Sequence, residues 1–202
     1  MKRACLVLLL ICGCVSPVVI RPDTTPTLDI SGVVCIKTFA PDGQGHATGF
    51  VVAHKDGWWY AATAGHAAIF VMTVDGKTAT PVSLNMEQDV GLVRFRSVLP
   101  YHIYPLARAA VGQEVWAVGY PGVPRKPPIR FVHHGRITAV DGMTVWVSAG
   151  LAPGFSGGPI LDDTGSAVGV TYGLAVISGN FYESLGAATS TKAVETMLAR
   201  LK

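Results

Sequence analysis

An all-β fold, a sandwich or barrels built from short strands, is what this sequence predicts, and three observations predict it. Period-two and wholly apolar runs alternate along the chain with turn signals. Asp-Gly pairs recur at the reversals, at Asp56-Gly57, Asp75-Gly76 and Asp141-Gly142. Only the last dozen residues carry helical periodicity. The 202 residues include 23 Gly and 13 Pro, many for a helical protein but suited to short strands joined by tight turns. Half the residues are apolar, enough for a sizeable core.

Taken in order, Ser31–Phe39 reads as a strand closed by Pro41-Asp42-Gly43. Phe50–Ala53 and Trp58–Ala64 form a hairpin through Lys55-Asp56-Gly57. Asp75-Gly76 marks a second hairpin. Asp141-Gly142 marks a third, between Gly135–Val140 and Thr144–Ser148. Ile160–Leu161 and Ala167–Tyr172 flank a turn at Asp162-Asp163-Thr164-Gly165. The final segment places Val194, Met197, Leu198 and Leu201 on one helical face, with Ser190 or Thr191 as N-cap.

The N-terminus reads as an export signal: Lys2 and Arg3 precede the apolar run Leu6–Ile11. The stretch ends near Pro17, short of the ~20 residues that span a bilayer. Three of the four cysteines lie in it. Ile11-Cys12-Gly13-Cys14 resembles a bacterial lipobox, with Cys14 as the lipidated residue, although Cys12 stands where a small residue is usual. A cleaved secretory signal and an uncleaved anchor are the alternatives. The expected organisation is a signal over 1–14, a Pro- and Thr-rich tether over 15–29 and one domain over 30–202. Cys35, alone in that domain, can form no internal disulfide. Setting Lys2 and Arg3 aside leaves 14 basic residues against 13 acidic, a balance that gives no electrostatic ground for nucleic-acid binding.

The sharpest motif is Gly154-Phe155-Ser156-Gly157-Gly158-Pro159. Glycine weakens regular structure, so a serine set among glycines needs a reason. A tight turn that projects Oγ and aims backbone N–H groups into a shared cavity is one; a plain glycine-rich β-turn is the other. The motif also satisfies the G-x-S-x-G elbow of α/β-hydrolases, but that fold needs a histidine after the serine, and none follows His134. A nucleophilic serine needs a base. His66 ends the run Trp58–Gly65, where an apolar strand gives way to small residues. His46 lies in a Gly-rich loop, His54 precedes a hairpin turn, and His133-His134 fall at a loop–strand junction. Neither these nor His102 has zinc-ligand spacing, so no metal and no cofactor is expected. For the orienting acid, Asp56, Asp75 and Asp141 each precede Gly and read as turn formers, as do Asp162 and Asp163. Asp89 opens the apolar run Val90–Phe95 and is the one acid that a turn does not explain.

The order His66, Asp89, Ser156 is that of the chymotrypsin template. Thr63-Ala64-Gly65-His66, Asp89-Val90-Gly91-Leu92 and Gly154–Pro159 together resemble the motif blocks of trypsin-like serine peptidases, nearest the bacterial HtrA-like and glutamyl-endopeptidase-like branches. Gly45–Val52, Gly112–Pro121 and His134–Val140 are similar to further stretches of that family, and the likeness runs from about Ser31 to Gly173.

The resemblance implies two six-stranded antiparallel β-barrels, over about 30–108 and 109–189, with a C-terminal helix over about 190–202. It implies a peptide- or protein-cleaving serine endopeptidase with His66, Asp89 and Ser156 as its triad. The oxyanion would be held by the amides of Gly154 and Ser156. Leu151, Thr171, Tyr172 and Gly173 would border the primary substrate pocket. Gly150 stands where trypsin-like pockets keep an acid, and Thr171 where glutamate-cleaving relatives use a histidine, so a small or medium apolar P1 residue is expected. The interval from His66 to Asp89 is short for the family, no zymogen-type start is present, and no room is left for a PDZ module. A catalytically silent barrel that binds partners and an acyl hydrolase on the same fold are the competing readings. The export signal disfavours a viral maturation peptidase and implies a periplasmic, membrane-anchored or secreted protein.

Overall fold

Turn chemistry sets the hairpins. In the computed structural model, which describes residues 26–41, 43–122, 128–177 and 180–201, Asp56 and Gly57 have φ of 52° and 74°, and Asp75 and Gly76 of 47° and 79°. Such left-handed pairs match the twist of the strands they join. The first half of the chain runs through β1 (Val33–Ala40), β2 (Gly43–Lys55), β3 (Trp58–Ala64), a four-residue helix α1 (Gly65–Ala68), β4 (Val71–Val74), β5 (Lys77–Asn85) and β6 (Val90–Phe95). The second runs through β7 (Glu114–Gly119), β8 (Phe131–Asp141), β9 (Thr144–Val147), β10 (Pro159–Leu161), β11 (Ala167–Ile177), β12 (Asn180–Ser190) and α2 (Lys192–Leu198). Each half closes into a six-stranded antiparallel barrel, in the orders β1-β2-β3-β6-β5-β4 and β10-β11-β12-β9-β8-β7.

Strand alternation divides the apolar residues among three cores. Val34, Ile36, Val51 and Val93 fill the first barrel, and Val115, Ala117, Ile137 and Val168 the second. Their alternating neighbours Val33, Cys35, Phe50, Val52 and Leu92 face the other way. They meet Val118, Leu161 and Val170 of the second barrel in a third cluster between the two. Burial on both faces is why these strands read as continuous apolar runs. Cys35 is free and buried in this seam, where burial pushes its thiol pKa up.

Helix α2 contributes Ala193, Val194 and Met197 to the same cluster. It is shorter than the expected dozen residues, and its entry differs too. Thr191 sits at the N-cap position but makes no capping bond with its side chain. Its Oγ1 instead donates to Ala107 O at 2.6 Å, tying the helix to the segment between the barrels, and Arg108 pairs with Glu195 at 2.5 Å. Met197→Ala is therefore expected to lower the unfolding free energy by about 2–5 kcal/mol in urea titration. Lys192→Ala, on an exposed position of the helix, is expected to change it by no more than about 0.5 kcal/mol. An unchanged midpoint for Met197→Ala would show that the helix is not part of the core.

Strand β2 begins earlier than the sequence suggests. His46 is no loop residue but lies in β2, opposite Lys37 of β1. The expected signal, tether start and lipobox Cys14 fall in residues 1–25, outside the described residues.

Candidate active site

His66 is the second residue of α1, two residues past the end of β3. Strands β3 and β6 are antiparallel neighbours in a register that sets Ala64 opposite Val90. Their flush ends bring His66 beside Asp89 although 23 residues separate them. The backbone N–H of His66 donates to Asp89 Oδ1 at 2.7 Å, and its ring Nδ1 lies 2.7 Å from Asp89 Oδ2. With Nδ1–H given to the carboxylate, the neutral ring keeps its lone pair at Nε2. The hydrogen bond that the His66 ring donates to Asp89 raises the His66 pKa above the ordinary imidazole value, against a smaller opposing effect of burial. Burial alone would push the Asp89 carboxyl up. The hydrogen bonds from the His66 ring and from the His66 and Gly65 backbone outweigh it and hold the carboxyl below its usual range.

Asp89 itself corrects an expectation. It too closes a turn, with φ of 46° like Asp56 and Asp75. Asn85 shapes that turn by accepting from Gln88 N at 3.1 Å. Aspartate tolerates the left-handed region, so the turn and the acid are one device. Four of the other five histidines are engaged elsewhere: His54 stacks on Trp59, His102 pairs with Asp29, His134 pairs with Glu114, and His133 bonds Gly150 O.

Ser156 lies in the turn between β9 and β10, between Gly154 (φ 97°) and Gly157 (φ 87°). Both glycines are required by space as well as by φ. A Cβ on Gly157 would fall 2.2 Å from Thr48 O and 2.5 Å from Ala64 N, so the serine loop presses on the strand end that delivers His66. A Cβ on Gly154 would fall 2.3 Å from Tyr120 O. The Phe155 ring is buried in the second barrel and anchors the loop. Ser156 Oγ donates to Tyr172 O at 3.5 Å. Among the described residues it makes no hydrogen bond to the imidazole, a looseness usual before substrate binds.

The amides around Ser156 divide into two sets. Those of Phe155, Gly157 and Gly158 donate to Ala152 O (3.0 Å), Thr171 O (2.6 Å) and Phe155 O (2.8 Å). Those of Gly154 and Ser156 donate to no backbone carbonyl among the described residues. Two neighbouring free donors are what an oxyanion needs.

Beside the serine is a pocket of about 220 Å³ lined by Leu151, Ala152, Pro153, Phe155, Ser156, Thr171, Gly173 and Leu174. Among the described residues no charged side chain lines it. Of the four residues expected there, Leu151, Thr171 and Gly173 are present and Tyr172 is not. The β11–β12 register shifts between Thr171 and Gly173, and at this bulge Tyr172 lines an adjoining groove with Gln88, Asp89 and Met143. Ala152, Pro153, Phe155 and Leu174 are additions. Only Phe155 lay within a motif that the sequence marks.

Two six-stranded barrels, with a His–Asp pair at the rim of the first and a glycine-bracketed serine in the second, define a chymotrypsin-like serine endopeptidase. The trypsin-like peptidase domain family matches residues 47–170, more than half of the chain, and the protein belongs to that family. Its fold is similar to that of the Rv3671c protease from M. tuberculosis in its active form, with TM-score 0.69 and 24% identity over 85% of this chain and 81% of that one. It is similar to the HtrA-type protease AlgW with tripeptide, with TM-score 0.69 and 21% identity over 89% of this chain and 62% of that one. The serine endoprotease from Yersinia pestis gives TM-score 0.66 and 18% identity over 84% and 64%. The chain thus spans somewhat under two thirds of the length of the last two. No curated protein matches the sequence.

Proposed function

We propose that the protein cleaves polypeptides through Ser156, His66 and Asp89. The observation that carries this reading is the 2.7 Å contact of His66 Nδ1 with Asp89 Oδ2, which leaves Nε2 as the free base at the barrel rim. His66 Nε2 takes the Ser156 hydroxyl proton as Oγ bonds to the substrate carbonyl carbon. The carbonyl oxygen becomes an oxyanion held by the Gly154 and Ser156 amides, and Asp89 stabilises the imidazolium. The imidazolium gives its proton to the leaving amine, the C–N bond breaks, and an acyl-enzyme remains. Water then attacks the ester with His66 again as base, releasing the acid and restoring Ser156. A fluorophosphonate probe is expected to label the protein at one site, and Ser156→Ala to abolish labelling. A parent chain that resists the probe would instead favour a silent binding barrel.

Pocket size and lining support a small or medium apolar P1 side chain. A carboxylate or ammonium entering this uncharged wall would lose hydration with no partner. On a peptide library, Ala, Val or Leu at P1 is expected to exceed Arg, Lys or Glu by about 100-fold or more in kcat/KM. A preference for a charged P1 residue would refute this assignment of the pocket.

The leader supports export, with Cys14 as the lipidated anchor and the peptidase domain on the far side of the membrane. Loss of lipid labelling in Cys14→Ser tests the anchor.

A further inference from the structure

Oxyanion stabilisation works when its donors are fixed before reaction, yet the residue supplying one of them is Gly154, the residue type with the greatest backbone freedom. No side chain can replace the glycine, because a Cβ would strike Tyr120 O and Gly122 N, at 2.3 and 2.6 Å. Something outside the residue must therefore hold its two flanking peptides. On the N-terminal side, Gly122 N donates to Pro153 O at 2.8 Å. Because the C=O and N–H of a trans peptide point oppositely, this bond turns the Gly154 N–H away from Gly122. On the C-terminal side the Gly154 carbonyl is held by a residue of the other barrel. Thr48 of β2 donates its hydroxyl proton to Gly154 O at 2.7 Å.

Thr48 is fully buried in an otherwise apolar stretch of β2, where a hydroxyl is costly unless its hydrogen bonds are made. All of its polar atoms are engaged. Oγ1 accepts from Tyr120 N at 2.9 Å, while its amide donates to Ser156 O at 2.8 Å. Its carbonyl accepts from Thr63 Oγ1 at 2.7 Å, on β3, the strand that leads into the helix bearing His66. One residue of the first barrel thus joins Gly154, Ser156 and the strand that precedes the histidine.

We propose that Thr48 is a positioning residue of the oxyanion loop, its hydroxyl locking the Gly154–Phe155 peptide from the opposite barrel so that the Gly154 amide stays aimed at the reacting carbonyl. The inference rests on the proposed roles of Ser156 and Gly154. Thr48→Val keeps the shape and removes the hydroxyl; Thr48→Ser restores it. With folding checked by circular dichroism, Thr48→Val is expected to lower kcat about 10- to 100-fold, part of the ~10²–10³ that one oxyanion donor contributes. KM is expected to stay within about twofold, because the pocket is untouched. Affinity for a peptide aldehyde, whose tetrahedral adduct places an oxyanion in the hole, is expected to fall in parallel. Thr48→Ser is expected to recover kcat to within about threefold. If Thr48→Val does not fold, Thr48→Cys replaces it, of similar size and with a weak donor, and a lowered kcat is again expected. A parent chain that neither cleaves peptides nor labels overturns both the inference and the reading beneath it. A parent that does both, with a folded Thr48→Val or Thr48→Cys equal to it in kcat and aldehyde affinity, overturns the inference alone.

Discussion

Ser156→Ala is expected to lower kcat about 10⁶-fold, His66→Ala to do nearly the same, and the double variant to be no worse than either. The three results belong together because, in the proposed mechanism, nucleophile and base act as one unit: with the hydroxyl gone, the base has no proton to take. Rates that multiplied instead would mean that Ser156 and His66 serve separate steps. KM in both single variants should stay near the parent value, since the proposed substrate pocket is walled mainly by Leu151, Thr171 and Leu174. Burst kinetics with an activated ester provide the check, because only the parent should release a stoichiometric burst.

Asp89→Asn is the second large effect, about 10⁴-fold in kcat. The asparagine amide fits the same turn but can donate to Nδ1, which would fix the wrong tautomer and leave the proton on Nε2. The pH profile separates this from a general loss of folding. His66 is competent only when neutral, and its pKa lies above the ordinary 6.5 because of the Asp89 hydrogen bond. A raised pKa keeps the ring protonated to higher pH, so the acid limb of kcat/KM in the parent is expected above 6.5 and activity is lost as pH falls through it. In Asp89→Asn the hydrogen bond and the negative charge are gone and only burial remains, which lowers the pKa. The limb of the residual activity should move to lower pH. An unmoved limb would show that some other group titrates.

The architecture was legible wherever local chemistry decides it. Asp56-Gly57 and Asp75-Gly76 carry the left-handed geometry of hairpins in their residue types, and the paired apolar faces of β1 and β2 announce burial. Helix α1 was not legible: Gly-His-Ala-Ala is too short to show a 3.6-residue period and follows a buried strand without a break. The early start of β2 was hidden because Gly43, Gln44, Gly45 and His46 read as a loop, whereas pairing with β1 makes them strand. In the site, chain order singles out His66, Asp89 and Ser156, while the β3–β6 register that joins the first two is a long-range property. The same holds for Thr48, which looks like any β-branched strand residue until the second barrel is placed against it. Motif spacing names the segment Thr171–Gly173, but the bulge in the β11–β12 pairing that sets Tyr172 apart from Thr171 and Gly173 depends on the partner strand.

The seam between the barrels joins residues from opposite ends of the polypeptide, Val33 near the beginning and Val194 and Met197 near the end. During synthesis the apolar outer faces of β1, β2 and β6 gain their first partners with β7 and are not fully covered until α2 emerges. A nascent chain lacking α2 therefore holds its histidine and its serine in halves whose common seam is incomplete. A product truncated before Lys192 would carry every motif and still lack the part of the seam that Val194 and Met197 close.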